Sequence, residues 1–258
     1  MVKRRIIAHR GHKVGAPEQT LAAYGLAIDL GAEMIEADLR FSRDGVPLML
    51  HDARLERTTN GRGLVSDMEW EEIAGLDAGA WFGPTFAGQR VPRLDQLFAL
   101  AESRGVALCI EAKGDTPDEN ARAALFAARQ IARRGRLNLD VVASFDHLAL
   151  TKAVDAVPAL RTAPDRLPER GPSTVVDLIA QAKAARASII QHHFADLDAA
   201  VVAEVQAAGI EVWAWPPASI AEAQFAFDSG AIGLMGDDIA AIAQVVAAGP
   251  IDSDDRAR

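Results

Sequence analysis

The segment EADLRFSRDGVPLMLH, residues 36–51, decides how the rest of the chain is read. Two extended runs flank SRDG (42–45), and Asp-Gly is turn chemistry that joins antiparallel strands. A hairpin centred near Arg43 and Asp44 puts Glu36 roughly opposite His51. Residues 39–50 then leave the main sheet and return His51 to its rim.

Working outward, short apolar runs fall at 5–9, 32–39, 46–51, 106–113, 139–145, 159–163, 187–191, 210–215 and 231–236. Amphipathic stretches separate most of them. Strand and helix in alternation give parallel βαβ units, and strands apolar on both faces suit a buried parallel sheet. With 46–51 assigned to the hairpin, eight strands remain. The fold expected is α/β, a (βα)8 TIM-type barrel formed by one domain over 1–248. Residues 53–105 carry no clear strand and are rich in Gly and Trp, so they are expected to be an insertion after the His51 strand. Residues 249–258 are expected to be a disordered tail.

Helix boundaries are legible in places. Thr116, Pro117 and Glu119 form a capping-box pattern with proline at the first helical position. Ser219 and Glu222 repeat the box, and Gly31 and Gly230 are stops.

The net charge of −9 leaves no basic stripe for nucleic acid, so an anionic ligand would have to be attracted locally. The single cysteine, Cys109, cannot form an internal disulfide and reads as a small buried apolar residue. No run reaches the roughly 18 apolar residues of a membrane span. The stretch before His9 is too short for a signal-peptide core. The expectation is a cytoplasmic protein with no stable membrane insertion and no nucleic-acid partner; its oligomeric state is left open.

Polar residues crowd the carboxyl ends of the strands, which in a (βα)8 barrel converge on one mouth. The first strand ends in His9 and Arg10, the second carries Glu36 and Asp38, the hairpin returns His51 and Asp52, and the next strand ends in Glu111 and Lys113. Side chains alternate along a strand, so Glu36 shares a face with Asp38, and Glu111 with Lys113. Three unpaired carboxylates buried together would cost several kcal/mol in repulsion and desolvation. Either Arg10 and Lys113 neutralise them, or a divalent cation does. An all-oxygen set favours Mg²⁺ or Ca²⁺. Beside such a centre, two imidazoles suit acid–base chemistry at neutral pH, and Arg10 and Lys113 suit a phosphate.

The remaining histidines are less informative. His12 is expected to face substrate or solvent, His147 to be a surface or capping residue at a helix start, and one of His192 and His193 to face the mouth. Trp213 and Trp215 share one strand face. Pointing inward, they would make part of a substrate pocket with His193; pointing outward, they would pack on helices.

AHRG (8–11), APEQT (16–20), IEADLRFSRDGVPLMLHD (35–52), LERTTNGRG (55–63), VPRLDQLF (91–98) and CIEAKG (109–114) resemble, in order and spacing, the glycerophosphodiester phosphodiesterase family. ASFD and VWAW give a weaker echo later. The resemblance implies a metal-dependent hydrolase that converts a small-molecule phosphodiester, a glycerophosphodiester, to glycerol 3-phosphate and an alcohol. It implies His9 and His51 as general acid and base, Arg10 and Lys113 as phosphate contacts, and Glu36, Asp38 and Glu111 as ligands of Mg²⁺ or Ca²⁺. The chain departs from the pattern at Gln19, where the family has Asn, at Pro216, which replaces a late Asn, and in GDDI (236–239), which keeps Asp237 but lacks a Thr. These changes leave open a lysophospholipid-like or other phosphodiester, and a barrel that binds phosphodiesters without turnover.

Overall fold

The computed structural model describes residues 4–167 and 173–249. Nine strands occur among them, each overlapping one of the nine apolar runs: β1 (Arg5–His9), β2 (Met34–Phe41), β3 (Pro47–Met49), β4 (Ala107–Ala112), β5 (Val141–Ser144), β6 (Arg161–Pro164), β7 (Ile189–His193), β8 (Glu211–Trp215) and β9 (Gly233–Gly236). The sheet runs β6-β5-β4-β2-β1-β9-β8-β7, and β3 pairs only with β2. An isolated parallel bridge, Asp165↔Gln191, joins the two ends of that order. Eight parallel strands therefore form the barrel. The hairpin stands outside it, with Leu39 opposite Met49 and Phe41 opposite Pro47.

Helices α1 (Leu21–Asp29), α2 (Trp70–Ala74), α3 (Leu94–Arg104), α4 (Pro117–Arg133), α5 (His147–Ala156), α6 (Val175–Ala184), α7 (Ala199–Ala207), α8 (Ile220–Asp228) and α9 (Ile239–Ala248) complete the described fold. Alternation along β2 shows how it is layered. Ile35, Ala37 and Leu39 join the large apolar cluster between sheet and helices. Met34 faces the barrel interior with Ile7, Cys109, Val141, Ala143, Ala163, Ile189, Trp213 and Met235. β2 is buried on both faces for most of its length, as a central parallel strand must be.

The Thr116–Glu119 capping box is present, and α4 then lays Ala123, Ala124, Ala127 and Ala128 on the sheet, where small side chains allow close approach. At α8 the box is modified. Ser219 Oγ accepts from the Glu222 N–H at 3.3 Å, but the Glu222 carboxylate accepts from Ala218 N at 2.7 Å, one residue before the cap.

Within the span 53–105, Leu55, Val65, Ile73, Ala78 and Val91 form a separate apolar cluster with Leu48 and Leu50 of the hairpin arm. Helix α3 does otherwise: its Leu94, Leu97, Phe98 and Ala101 pack into the barrel's outer layer. Of the expected tail, residues 250–258 lie outside the described residues. No described helix is long and apolar enough to cross a membrane.

Candidate active site

β1 delivers His9 to the mouth and the chain turns at once. Arg10 has φ 59° and Gly11 φ 90°. A Cβ at Gly11 would lie 2.7 Å from the Ala23 backbone, so only glycine permits this return toward α1. Arg10 is a non-glycine residue in the left-handed region, a strained state that surrounding contacts must hold. They do: its N–H donates to Glu36 Oε2 at 3.0 Å, and its guanidinium meets Asp38 at 3.1 Å and Glu18 at 3.2 Å.

Glu36 and Asp38 project from β2 and are almost wholly buried, and Glu111 joins them from the paired strand β4. One carboxylate oxygen from each of the three lies within 4.8 Å of the others. Lys113 Nζ sits 2.5 Å from Glu111 Oε1 and 3.4 Å from Asp38 Oδ1. Two cations thus face three acids, and the neutralisation is incomplete. Burial, reinforced by the charges of Asp38 and Glu111, pushes the Glu36 carboxyl well above its usual range. Burial and Asp38 raise Glu111 to about 7. Burial also acts on Asp38, but Lys113 and Arg10 outweigh it and hold this acid below its usual value.

The polar atoms left over suit a divalent cation. Glu36 Oε1 and Asp38 Oδ1 are buried without a hydrogen-bond partner. Glu36 Oε1, with no partner, and Asp38 Oδ1, with only the Lys113 ammonium at 3.4 Å, are oxygens a hard cation would satisfy, and the all-oxygen donor set fits Mg²⁺ or Ca²⁺.

Both imidazoles are oriented through Nδ1. His9 Nδ1 lies 2.7 Å from Asp237 Oδ1, and Lys13 Nζ holds the other Asp237 oxygen at 2.9 Å. His51 Nδ1 lies 2.6 Å from Asp52 Oδ1. Arg57 donates to Asp52 at 2.7 and 3.0 Å and to both oxygens of Glu18 at 2.8 and 2.9 Å. Glu18 therefore bridges Arg10 and Arg57, tying the loop after β1 to the insertion. Arg40 Nε donates to the His51 carbonyl at 2.9 Å and fixes the returning end of the hairpin. Burial lowers the pKa of both His9 and His51, so each ring is predominantly neutral at pH 7.

All seven residues expected at the centre come together: His9, Arg10, Glu36, Asp38, His51, Glu111 and Lys113. Gln19 also belongs there. It too is left-handed, at φ 58°, and its Nε2 donates to Asp38 Oδ2 at 2.6 Å while the Tyr24 hydroxyl donates to its Oε1. Sequence reading missed the orienting roles of Asp237, Asp52, Arg57 and Glu18. Asp52 adjoins His51 and could have been read as its partner; Asp237 is 228 residues from His9, and only its place after the last strand marks it.

The mouth residues of the later strands divide. Trp215 stands at the rim, its ring edge-on to Phe145 at 5.9 Å and to His193 at 5.6 Å, and Lys113 Nζ is 5.7 Å from the Phe145 ring. Trp213 does not line the pocket. It shares the inward face with Trp215 but sits one pleat lower, fully buried, with Nε1 donating to Glu211 at 3.0 Å. Gly233 of β9 makes its room, since a Cβ there would fall 2.5 Å from the indole.

Two other histidines differ from expectation. His12 is buried, and its Nδ1 accepts from Ile239 N at 3.1 Å at the start of α9. His147 is buried rather than superficial, with Nε2 2.7 Å from the Asp165 carbonyl, and Asp146 does the capping. Of the last two, where one was expected at the mouth, His192 is buried against Ser173 and His193 is the exposed member, beside Trp215.

A family model described as the glycerophosphoryl diester phosphodiesterase family matches residues 9–241. A glycerophosphodiester phosphodiesterase of Caldanaerobacter subterraneus is 45% identical over 112 residues, 43% of this chain. The matched stretch spans 46% of that relative, less than half its length. A crystal structure of a glycerophosphodiester phosphodiesterase from Agrobacterium tumefaciens superposes with a TM-score of 0.79 at 29% identity, covering 94% of this chain and all of that one. An Oleispira antarctica phosphodiesterase in complex with its product sn-glycerol-3-phosphate gives a TM-score of 0.84 at 26% identity, covering 94% of this chain and 96% of that one. With the family match running from His9 at the end of β1 to the start of the last helix, the chain belongs to the glycerophosphoryl diester phosphodiesterase family.

Proposed function

We propose that this protein hydrolyses glycerophosphodiesters to sn-glycerol 3-phosphate and an alcohol, with a divalent cation held by Glu36, Asp38 and Glu111 and with His9 and His51 as the acid–base pair. One observation carries the reading: three buried carboxylates within ligand distance of each other, flanked by two imidazoles whose Nδ1 atoms are each occupied by a carboxylate. The product named in the Oleispira relative supports the choice of substrate.

The residues divide the work. When bound, the cation would act as a Lewis acid on a phosphate oxygen and screen the charge that develops there. Arg10 and Lys113 bind the remaining phosphate charge. With Nδ1 donating to Asp237 or Asp52, each neutral ring presents Nε2 as the atom that exchanges protons. One imidazole takes a proton from the attacking group, a water or the glycerol 2-hydroxyl, as its oxygen bonds to phosphorus; in the second case a water then opens the cyclic phosphate to glycerol 3-phosphate. The other must first take up a proton from solvent at Nε2; it then donates that proton to the departing oxygen as the second phosphorus–oxygen bond breaks, so the alcohol leaves neutral. Trp215, Phe145 and His193 wall the mouth beside Lys113 and receive the glycerol arm, whose C–H groups suit aromatic faces.

Incubation with glycerophosphocholine and glycerophosphoethanolamine, with EDTA and after return of Mg²⁺ or Ca²⁺, tests this. Cation-dependent release of glycerol 3-phosphate is expected. No release with either cation would overturn the proposal.

A further inference from the structure

A diester has two arms, and the structure offers a second surface beside Lys113, lined by none of the aromatic residues of the wall. A groove of about 190 Å³ opens between the β2–β3 hairpin, the insertion and the start of α4. Lys113 lines it, as does Ala53, two residues past His51, so it begins where the proposed phosphate contact ends. Its charged lining is Arg40, Arg43, Lys113 and Arg122 against Asp115 and Glu119, four cations to two anions, on a chain of net charge −9.

The two acids are occupied. The Glu119 carboxylate accepts from the N–H groups of Asp115 and Thr116 at 2.7 and 3.1 Å, closing the α4 capping box. Asp115 faces Arg40 at 3.3 Å. Arg122 lies 4.2 Å over the Phe41 ring and makes no ion pair among the described residues. Arg43 meets Glu69 at 3.0 Å, a pair more than half exposed on both sides and therefore readily exchanged. A guanidinium preoriented on an aromatic face, without an acid of its own, is a receptor for a carboxylate or phosphate.

We propose that this groove is the subsite for the leaving alcohol, and that it selects alcohols carrying an anionic group, a carboxylate or a second phosphate. This rests on the diesterase reading above. A group departing past His51 and Lys113 enters the groove directly and brings its charge to Arg43 and Arg122. The volume suits a small polar alcohol.

The test uses three diesters that share a glycerol-sized leaving group: glycerophosphoglycerol, glycerophosphoglycerate and glycerophosphoglycerol phosphate. For the wild type, kcat/KM is expected to be roughly tenfold higher for the anionic members, and the two distinguish carboxylate from phosphate. The double variant Arg43→Gln, Arg122→Gln should erase that advantage and leave the neutral diester unchanged. Titration calorimetry with free 3-phosphoglycerate reads the groove without turnover: the double variant should bind it roughly tenfold more weakly. Unchanged selectivity and unchanged binding would sink the inference. If no diester is cleaved while binding still falls in the double variant, the catalytic reading fails and the anion site stands.

Discussion

Along β2, Met34 faces the barrel interior among Ile7, Cys109 and Trp213, while Glu36, one pleat further on, faces the mouth beside Asp38 and Glu111. β4 repeats the change from Cys109 to Glu111, β1 from Ile7 to His9, and β8 from Trp213 to the half-exposed Trp215. The two layers come from the same strands, about 7 Å apart. The lower layer is dry, with Trp213 as its largest side chain, and stabilises the fold by burial. The upper layer gathers like charges that oppose folding until something neutralises them. Stability and chemistry are thus separated by two residues, and substitutions in the two layers should have opposite effects.

The largest effect is expected for Glu36→Gln. Loss of a ligand should lower kcat/KM by about three orders of magnitude or more, while the cation-free protein melts no lower than wild type, because a neutral amide replaces a carboxyl that burial already disfavours in its charged form. A variant that lost activity and stability together would break the comparison. In the lower layer, Trp213→Ala should destabilise by about 3–5 kcal/mol in urea unfolding, as large buried truncations do, with cation affinity nearly unchanged. A large fall in affinity would mean that the layers are not separable.

Next comes pH. Glu111, raised to about 7 in the fold, retains its proton there between its ordinary value near 4.5 and 7, where the unfolded chain releases it. The folded state binds more protons across that window, so the cation-free protein loses stability as pH rises through it, by about 3 kcal/mol at most. A bound divalent cation removes the penalty. Thermal melts should therefore show a larger gain from added Mg²⁺ at pH 8 than at pH 5; equal gains would contradict the assignment. The smallest effect concerns orientation. Asp237→Asn should reduce kcat by about ten- to a hundredfold with little change in KM, since it alters how the His9 ring is held rather than what binds phosphate. A change confined to KM would place Asp237 in substrate binding instead.

The sequence was most legible where the information is local. The hairpin follows from SRDG, the pairing of Glu36 with Asp38 follows from alternation, and the α4 start follows from Thr116, Pro117 and Glu119. It was least legible where the ring closes. His12 and Ile239, or His9 and Asp237, are neighbours only because β9 pairs with β1. No pattern within either segment announces the contact. Trp213 and Trp215 fail differently: alternation places both on one face but does not give depth along the barrel axis, and depth separates a floor residue from a rim residue. The span 53–105 hides a helix, α3, because the weak periodicity of LDQLFALAESR is overshadowed by the Gly-rich stretch before it.

The joint between β6 and β7 has a consequence for how the molecule opens. β2 and β4 are in register over six successive pairs, whereas among the described residues the one bridge between the ends of β6 and β7 is Asp165↔Gln191, helped by Arg166 N donating to the Gln191 carbonyl at 2.8 Å and by the Gln191 amide donating to Ala163 O at 3.0 Å. A cylinder unrolls first at its thinnest joint, here a single bridge against the two pairs that join β8 to β9. Backbone amides of β6 and β7 should exchange with deuterium ahead of those in β2 and β4, so the acidic cluster lies on the slow-exchanging side, and breathing at the joint leaves the cation's ligands in place.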